Sequence, residues 1–146
     1  MTTTLLLGVA LTVGAPALND KDVSSQLYGV WEFDETPEEA RLRAIERRDG
    51  PYRWRFNRDG TWQVFNGEKE VAERRNFLVN PKADPPTIDL NTPPTPKNSS
   101  LVLGIYSIDG DCLTICCSYP GQPRPNRFDR TPGKGDHVHR LHRVKD

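Results

Sequence analysis

From Tyr52 to Phe65 the chain alternates residue by residue. Trp54 and Phe56 are interleaved with Arg53, Arg55 and Asn57, and Trp62 and Val64 with Thr61, Gln63 and Phe65. A period of two puts each apolar set on one face of a strand. Asp59-Gly60 and Asn66-Gly67 punctuate the runs, and such pairs predict hairpin turns because tight turns need positive φ. The same pattern predicts strands over Leu27 to Phe33, up to Asn76-Phe77-Leu78-Val79, over Leu101 to Ile108, over Cys112 to Tyr119 and over His137 to Val144, with a turn at Asp109-Gly110.

One segment breaks the period. Thr36-Pro37-Glu38-Glu39 reads as a helix start, with Thr36 as N-cap, Pro37 at the first helical position and Glu39 closing a capping box. The helix is expected from Pro37 to about Arg48, stopped by Asp49-Gly50-Pro51. Its apolar content (Ala40, Leu42, Ala44, Ile45) is thin, which makes it a lid or surface helix. Asn80 to Asn98 holds prolines 81, 85, 86, 93, 94 and 96 around Thr87-Ile88-Asp89-Leu90. Proline cannot donate to a ladder, so this stretch is expected to be an edge strand or an irregular connection. About eight short strands, one helix and no crossovers predict an all-β fold, a closed barrel or a sandwich.

The first seventeen residues differ from the rest. Leu5 to Val13 is an apolar run of the length of a signal-peptide core, and Ala15-Pro16-Ala17 offers small residues for cleavage. The expected organisation is a signal peptide over 1–17, a linker over 18–26 and one domain over 27–146. The expected location is then periplasmic, cell-surface or extracellular, and cytoplasmic if the segment is not a signal. Met-Thr-Thr-Thr lacks the usual Lys or Arg. No apolar run reaches the ~18 residues that span a bilayer.

Composition narrows the classes further. The 146 residues suit one domain. Twenty Lys and Arg against twenty Asp and Glu give no net charge, which argues against a nucleic-acid partner, since that needs surplus cations. Three cysteines, Cys112, Cys116 and Cys117, cannot all pair with one another. Cys112 and Cys116 in one strand would lie roughly 13 Å apart, too far for a disulfide, so buried free thiols are expected.

Candidate chemistry is sparse. His137 and His139 share a strand face and could ligate zinc together, with Cys112 or Cys116 completing the site. Nothing in their spacing demands a metal. Arg124, between two prolines, could bind a carboxylate or tie its loop to Asp109, Asp111 or Asp129. Asp109 and Asp111 suggest a carboxylate pair, but a turn at Asp109-Gly110 accounts for the first. There is no Ser/His/Asp signature, no phosphate loop and no Cys-x-x-Cys. Neither an enzyme nor a cofactor is implied.

Three pieces together carry a resemblance. Leu27-Tyr28-Gly29-Val30-Trp31 has the Gly-x-Trp opening of lipocalin-like barrels. Leu103 to Cys116 (LGIYSIDGDCLTIC) and Pro120 to Phe128 (PGQPRPNRF) follow in order, with Ile88-Asp89-Leu90 before them and His142-Arg143 at the end. The set resembles the planctomycetal conserved domain, a lipocalin-like (calycin-type) domain of unknown function, over about Leu27 to Val144. The resemblance implies an up-and-down antiparallel barrel, an exported chain in many members, and structural roles for Gly29, Trp31 and Arg143, with Arg143 packing on Trp31 at one barrel end. It implies no activity. Cys117 departs from the pattern, where a larger apolar residue is usual, as do the three C-terminal histidines.

The expectation is therefore a non-catalytic barrel that holds a small, partly apolar ligand, with Trp54, Phe56, Trp62 and Tyr106 as lining and Arg124 as a polar contact. An eight-stranded barrel can hold one small ligand or be filled by its own side chains. The alternative is a filled barrel that meets a protein partner through its proline-rich loops, Asn80–Asn98 or Tyr119–Arg127. A metal-binding protein using His137, His139 and Cys116 is the third reading.

Overall fold

Hairpin follows hairpin until the last strand meets the first. The computed structural model describes residues 25–46, 49–91, 101–129 and 137–145. Its elements are β1 (Gly29–Phe33), α1 (Pro37–Ile45), β2 (Tyr52–Phe56), β3 (Thr61–Asn66), β4 (Lys69–Glu70), β5 (Arg75–Asn80), β6 (Thr87–Asn91), β7 (Leu101–Asp109), β8 (Cys112–Cys117) and β9 (His137–Arg143). The neighbours in the sheet run β2-β1-β9-β8-β7-β6-β5-β3, and β2 pairs with β3 to close an eight-stranded antiparallel barrel. Strand β4 is an extra rung on β3 alone. The predicted 1–17 signal segment lies outside the described residues. No helix among the described residues is long and apolar enough to cross a membrane.

Register turns alternation into a core. Trp31 lies opposite Trp54, Phe56 opposite Trp62, Phe77 opposite Leu90, and Leu113 opposite Leu141. Since period-two side chains share a face, these large apolar residues fill the inside, where Trp31, Phe56, Ile88, Leu113 and Ile115 are fully buried. Pairing lengths are uneven. Most neighbours share four to six register pairs, whereas β3 and β5 share two, Thr61 with Asn76 and Trp62 with Arg75.

The two ends differ. One end gathers the tight turns at Gly60 (φ +83°) and Gly110 (φ +59°), together with the start of β1 and the end of β9. There Arg143 lies opposite Trp31 with its guanidinium 4.2 Å from the indole centroid. Its Nη1 donates to Tyr28 O at 2.9 Å, and its Nη2 donates to Gln26 O. Trp31 Nε1 donates to Leu27 O at 2.8 Å. Such a cation over an indole contributes about 0.5–2 kcal/mol. Gly29 makes room for it: φ is +122°, and a Cβ there would sit 3.1 Å from Arg143 Nη1. The other end receives α1, β4, the ends of β6 and β8 and the starts of β7 and β9.

Three expectations need correction. β1 begins at Gly29, not Leu27, because the carbonyls of residues 26 to 28 accept from Arg143 and Trp31 side chains. The helix carries the expected Thr36 capping box but ends at Ile45, short of Arg48, and buries none of its residues, as its lack of an apolar face requires. β6 is not an edge: it pairs with both β5 and β7, since the prolines flank the strand and leave its own N–H groups intact.

The clasp yields the first prediction. Trp31→Ala should cost about 3–5 kcal/mol in denaturant unfolding, as a large buried side chain lost. Arg143→Ala should also destabilise, and the double variant should lose less than the sum, because the two act as one unit. Additive losses would show that the two side chains do not cooperate.

Candidate functional site

The inner face changes character along the barrel axis. At the clasped end it is packed. Towards the other end Phe33, Trp54, Val64, His137 and His139 are only half-buried. These residues form a ring wall. Phe33 meets Trp54 edge-on with centroids 5.0 Å apart, and Trp54 meets Trp62 at 5.1 Å. The His139 ring lies 5.2 Å from Phe33 and 5.9 Å from Trp54. His137 stacks above His139 at 6.1 Å and touches Tyr119 at 4.6 Å. Phe56, below, contacts Trp54, Trp62 and Phe77, so the wall stands on a filled floor.

Polar atoms on this inner face lack partners. Trp62 Nε1, Asn66 Oδ1, Arg75 Nε and Tyr106 Oη are enclosed with no hydrogen bond among the described residues. Trp62 is 4% exposed and Tyr106 2%. Burial raises the Tyr106 pKa, with Tyr28 adding to the effect, so the phenol stays neutral and keeps its proton. An enclosed polar group without a partner costs about 1–3 kcal/mol, and most buried polar groups in folded proteins avoid that cost. Four such atoms face one interior.

The sequence-predicted lining divides. Trp54, Phe56 and Trp62 come together as one aromatic cluster, and Tyr106 on β7 faces the same interior from across the barrel. Arg124 does not join them. Its Nη2 lies 2.6 Å from Asp89 Oδ1, an ion contact without hydrogen-bond alignment. Its Nη1 donates to Gly104 O at 2.7 Å and Ile88 O at 3.4 Å. It ties its loop to β6 and β7, through Asp89 rather than Asp109, Asp111 or Asp129. Asp111 instead meets Lys145 at 3.1 Å and Arg143 at 3.6 Å.

The metal candidates separate too. His137 and His139 share the inner face, as their spacing predicts, and His142 points outward to Asp34 at 2.7 Å. Cys116 pairs with Val138 and faces away from both histidines, while Cys112 is exposed. Among the described residues no three His, Cys, Asp or Glu side chains are placed to share a metal ion. None of the three cysteines forms a disulfide.

Sequence reasoning missed Arg75 and Cys117. Both were readable from period two, Arg75 as the residue two before Phe77 and Cys117 as the one two after Ile115. Cys117 lies opposite His137. Burial, with a contribution from Cys116, pushes its thiol pKa up to about 12. It is therefore no thiolate nucleophile at neutral pH. The chain matches no family model, no curated protein and no solved structure.

The thiols give the second prediction. An aromatic disulfide reagent at neutral pH should label Cys112 in the native protein and the other two only after unfolding. A raised acid pKa favours the folded state below the thiol's ordinary 9.0, and that stabilisation is lost as pH climbs from there to about 12. Stability should then fall by up to about 1.4 kcal/mol per pH unit from this group. Cys117→Ala should flatten that part of the slope; an unchanged slope would mean that Cys117 ionises normally.

Proposed function

We propose that the protein is an exported, non-catalytic binder of a small, partly apolar molecule, held in the open end of the barrel, and that it belongs to the lipocalin-like planctomycetal domains its sequence resembles. One observation carries this reading: enclosed polar atoms on Trp62, Arg75, Asn66 and Tyr106 without partners, beside a half-buried wall of aromatic rings. Pockets for small ligands combine this way, with apolar walls for affinity and a few convergent polar groups for orientation. The clasped end supplies rigidity.

A second reading has its own support. Tyr119 is half-exposed at the start of the proline-rich loop, and Leu42 and Ile45 are exposed on α1. A filled barrel could meet a protein partner through these residues.

Native mass spectrometry of protein purified from its own host separates the two. The expected result is an adduct of small-molecule mass that is lost on unfolding, with tryptophan fluorescence changing as it leaves. A bare mass, with fluorescence indifferent to added lipophiles, would overturn the ligand reading and favour the protein partner.

A further inference from the structure

The charge pattern of the barrel is split between its two faces. On the outside three arginines meet carboxylates, Arg53 with Glu32 at 2.7 Å, Arg43 with Glu35 at 3.0 Å and Arg124 with Asp89 at 2.6 Å, while Arg55 and Arg58 lie over the Phe65 and Tyr28 rings. At the closed end Arg143 has Asp111 and two backbone carbonyls. On the inside, strand positions among the described residues carry Arg75, Arg143, His137 and His139 but neither Asp nor Glu.

Arg75 is the unmatched member. It is half-buried, its Nε is enclosed without an acceptor, and its guanidinium lies 5.6 Å from the Trp62 ring centroid. Burial pushes its pKa down from the usual arginine value, with Glu73 acting in the opposite direction. It nevertheless remains a cation, as arginine does in proteins. Trp62, its cross-strand partner, adds a second enclosed donor: Nε1–H, on a side chain 4% exposed. Indole can only donate, and guanidinium can only donate. Two adjacent donors with no acceptor, one of them charged, describe the complement of an anion.

We propose that Arg75 and the Trp62 indole N–H hold the carboxylate of a small organic acid, whose apolar body lies along the Trp54, Phe33 and His139 rings. The inference rests on the reading of the barrel as a ligand binder and names the ligand's class. A carboxylate suits the pair because its two oxygens can accept from the guanidinium and the indole together, and charge-assisted bonds of this kind are the strong ones. A neutral amide of the same shape offers one oxygen acceptor and no charge, so the site should discriminate between the two.

The test is calorimetric titration with matched pairs: hexanoate, decanoate, cinnamate and 2-naphthoate, each against its primary amide. The expected result is a carboxylate that binds about tenfold or more tightly than its amide, the scale set by a hydrogen bond to a charged group. Arg75→Gln should remove that preference by weakening the carboxylate far more than the amide, while Arg75→Lys should keep part of it. Trp62→Phe keeps an aromatic ring and deletes the N–H, so it should weaken the carboxylate more than the amide and provides a readout if Arg75→Gln does not fold. Equal binding of acids and amides, or a preference that survives Arg75→Gln and Trp62→Phe, overturns the proposal and leaves the ligand reading standing. Binding by neither series overturns both.

Discussion

The first strand and the last must find each other before this barrel has an inside, and the Trp31–Arg143 contact is where they do. Arg143 reaches across 115 positions of chain to the carbonyl of Tyr28. Bringing distant segments together costs loop-closure entropy, which is regained only by contacts made at the join. At this join a buried indole, a cation over its face and three backbone carbonyls are satisfied together. Without it, β1 and β9 would be two open edges and the aromatic interior would face water. Gly29 belongs to the same device, since any side chain there would meet the guanidinium.

Closing one end also sorts the rest of the molecule. The tight turns at Gly60 and Gly110 sit beside the clasp, and α1 and the Gly67 turn lie at the opposite end. The interior follows the same gradient, from fully buried Trp31 and Phe56 to half-buried Trp54 and His139. Charge is sorted radially. Carboxylates stay on the outer face, where they pair with Arg53 and Arg124, while the inward Arg75 and Arg143 lie over aromatic rings, Arg143 also holding backbone carbonyls at the clasp. A fold optimised for stability alone would place no unmatched donors inside.

Most of the architecture was legible in the sequence, because hairpin turns and period two are local signals. Asn66-Gly67 and Asp59-Gly60 mark real turns, and Trp54, Phe56, Trp62 and Tyr106 face inward as alternation predicts. Non-local effects hid the rest. The residues before Gly29 look like strand, and only side chains at Trp31 and at the far end of the chain claim their carbonyls. The prolines around β6 suggest an edge, but neighbours on both sides use the strand between them. Adjacent cysteines must face opposite ways; alternation with Leu113 and Ile115 turns Cys117 inward, and only the β8–β9 register sets it opposite His137. Arg124 offered several carboxylates in sequence and found Asp89, brought near by the barrel itself. Arg75 was visible as an inward position, yet the absence of Asp and Glu from the described inner strand positions is a property of the whole interior.

The two-pair seam between β3 and β5 has a consequence for motion. Backbone hydrogen bonds across a seam open together, and the free energy of local opening falls with the number that must break. The barrel therefore breathes most readily there, and amide protons near Thr61 and Asn76 exchange with solvent sooner than those of the six-pair β7–β8 ladder. Trp62 and Arg75 face each other across that same gap. Any molecule gripped by both would act as a missing rung, slowing the breathing of the wall through which it was held.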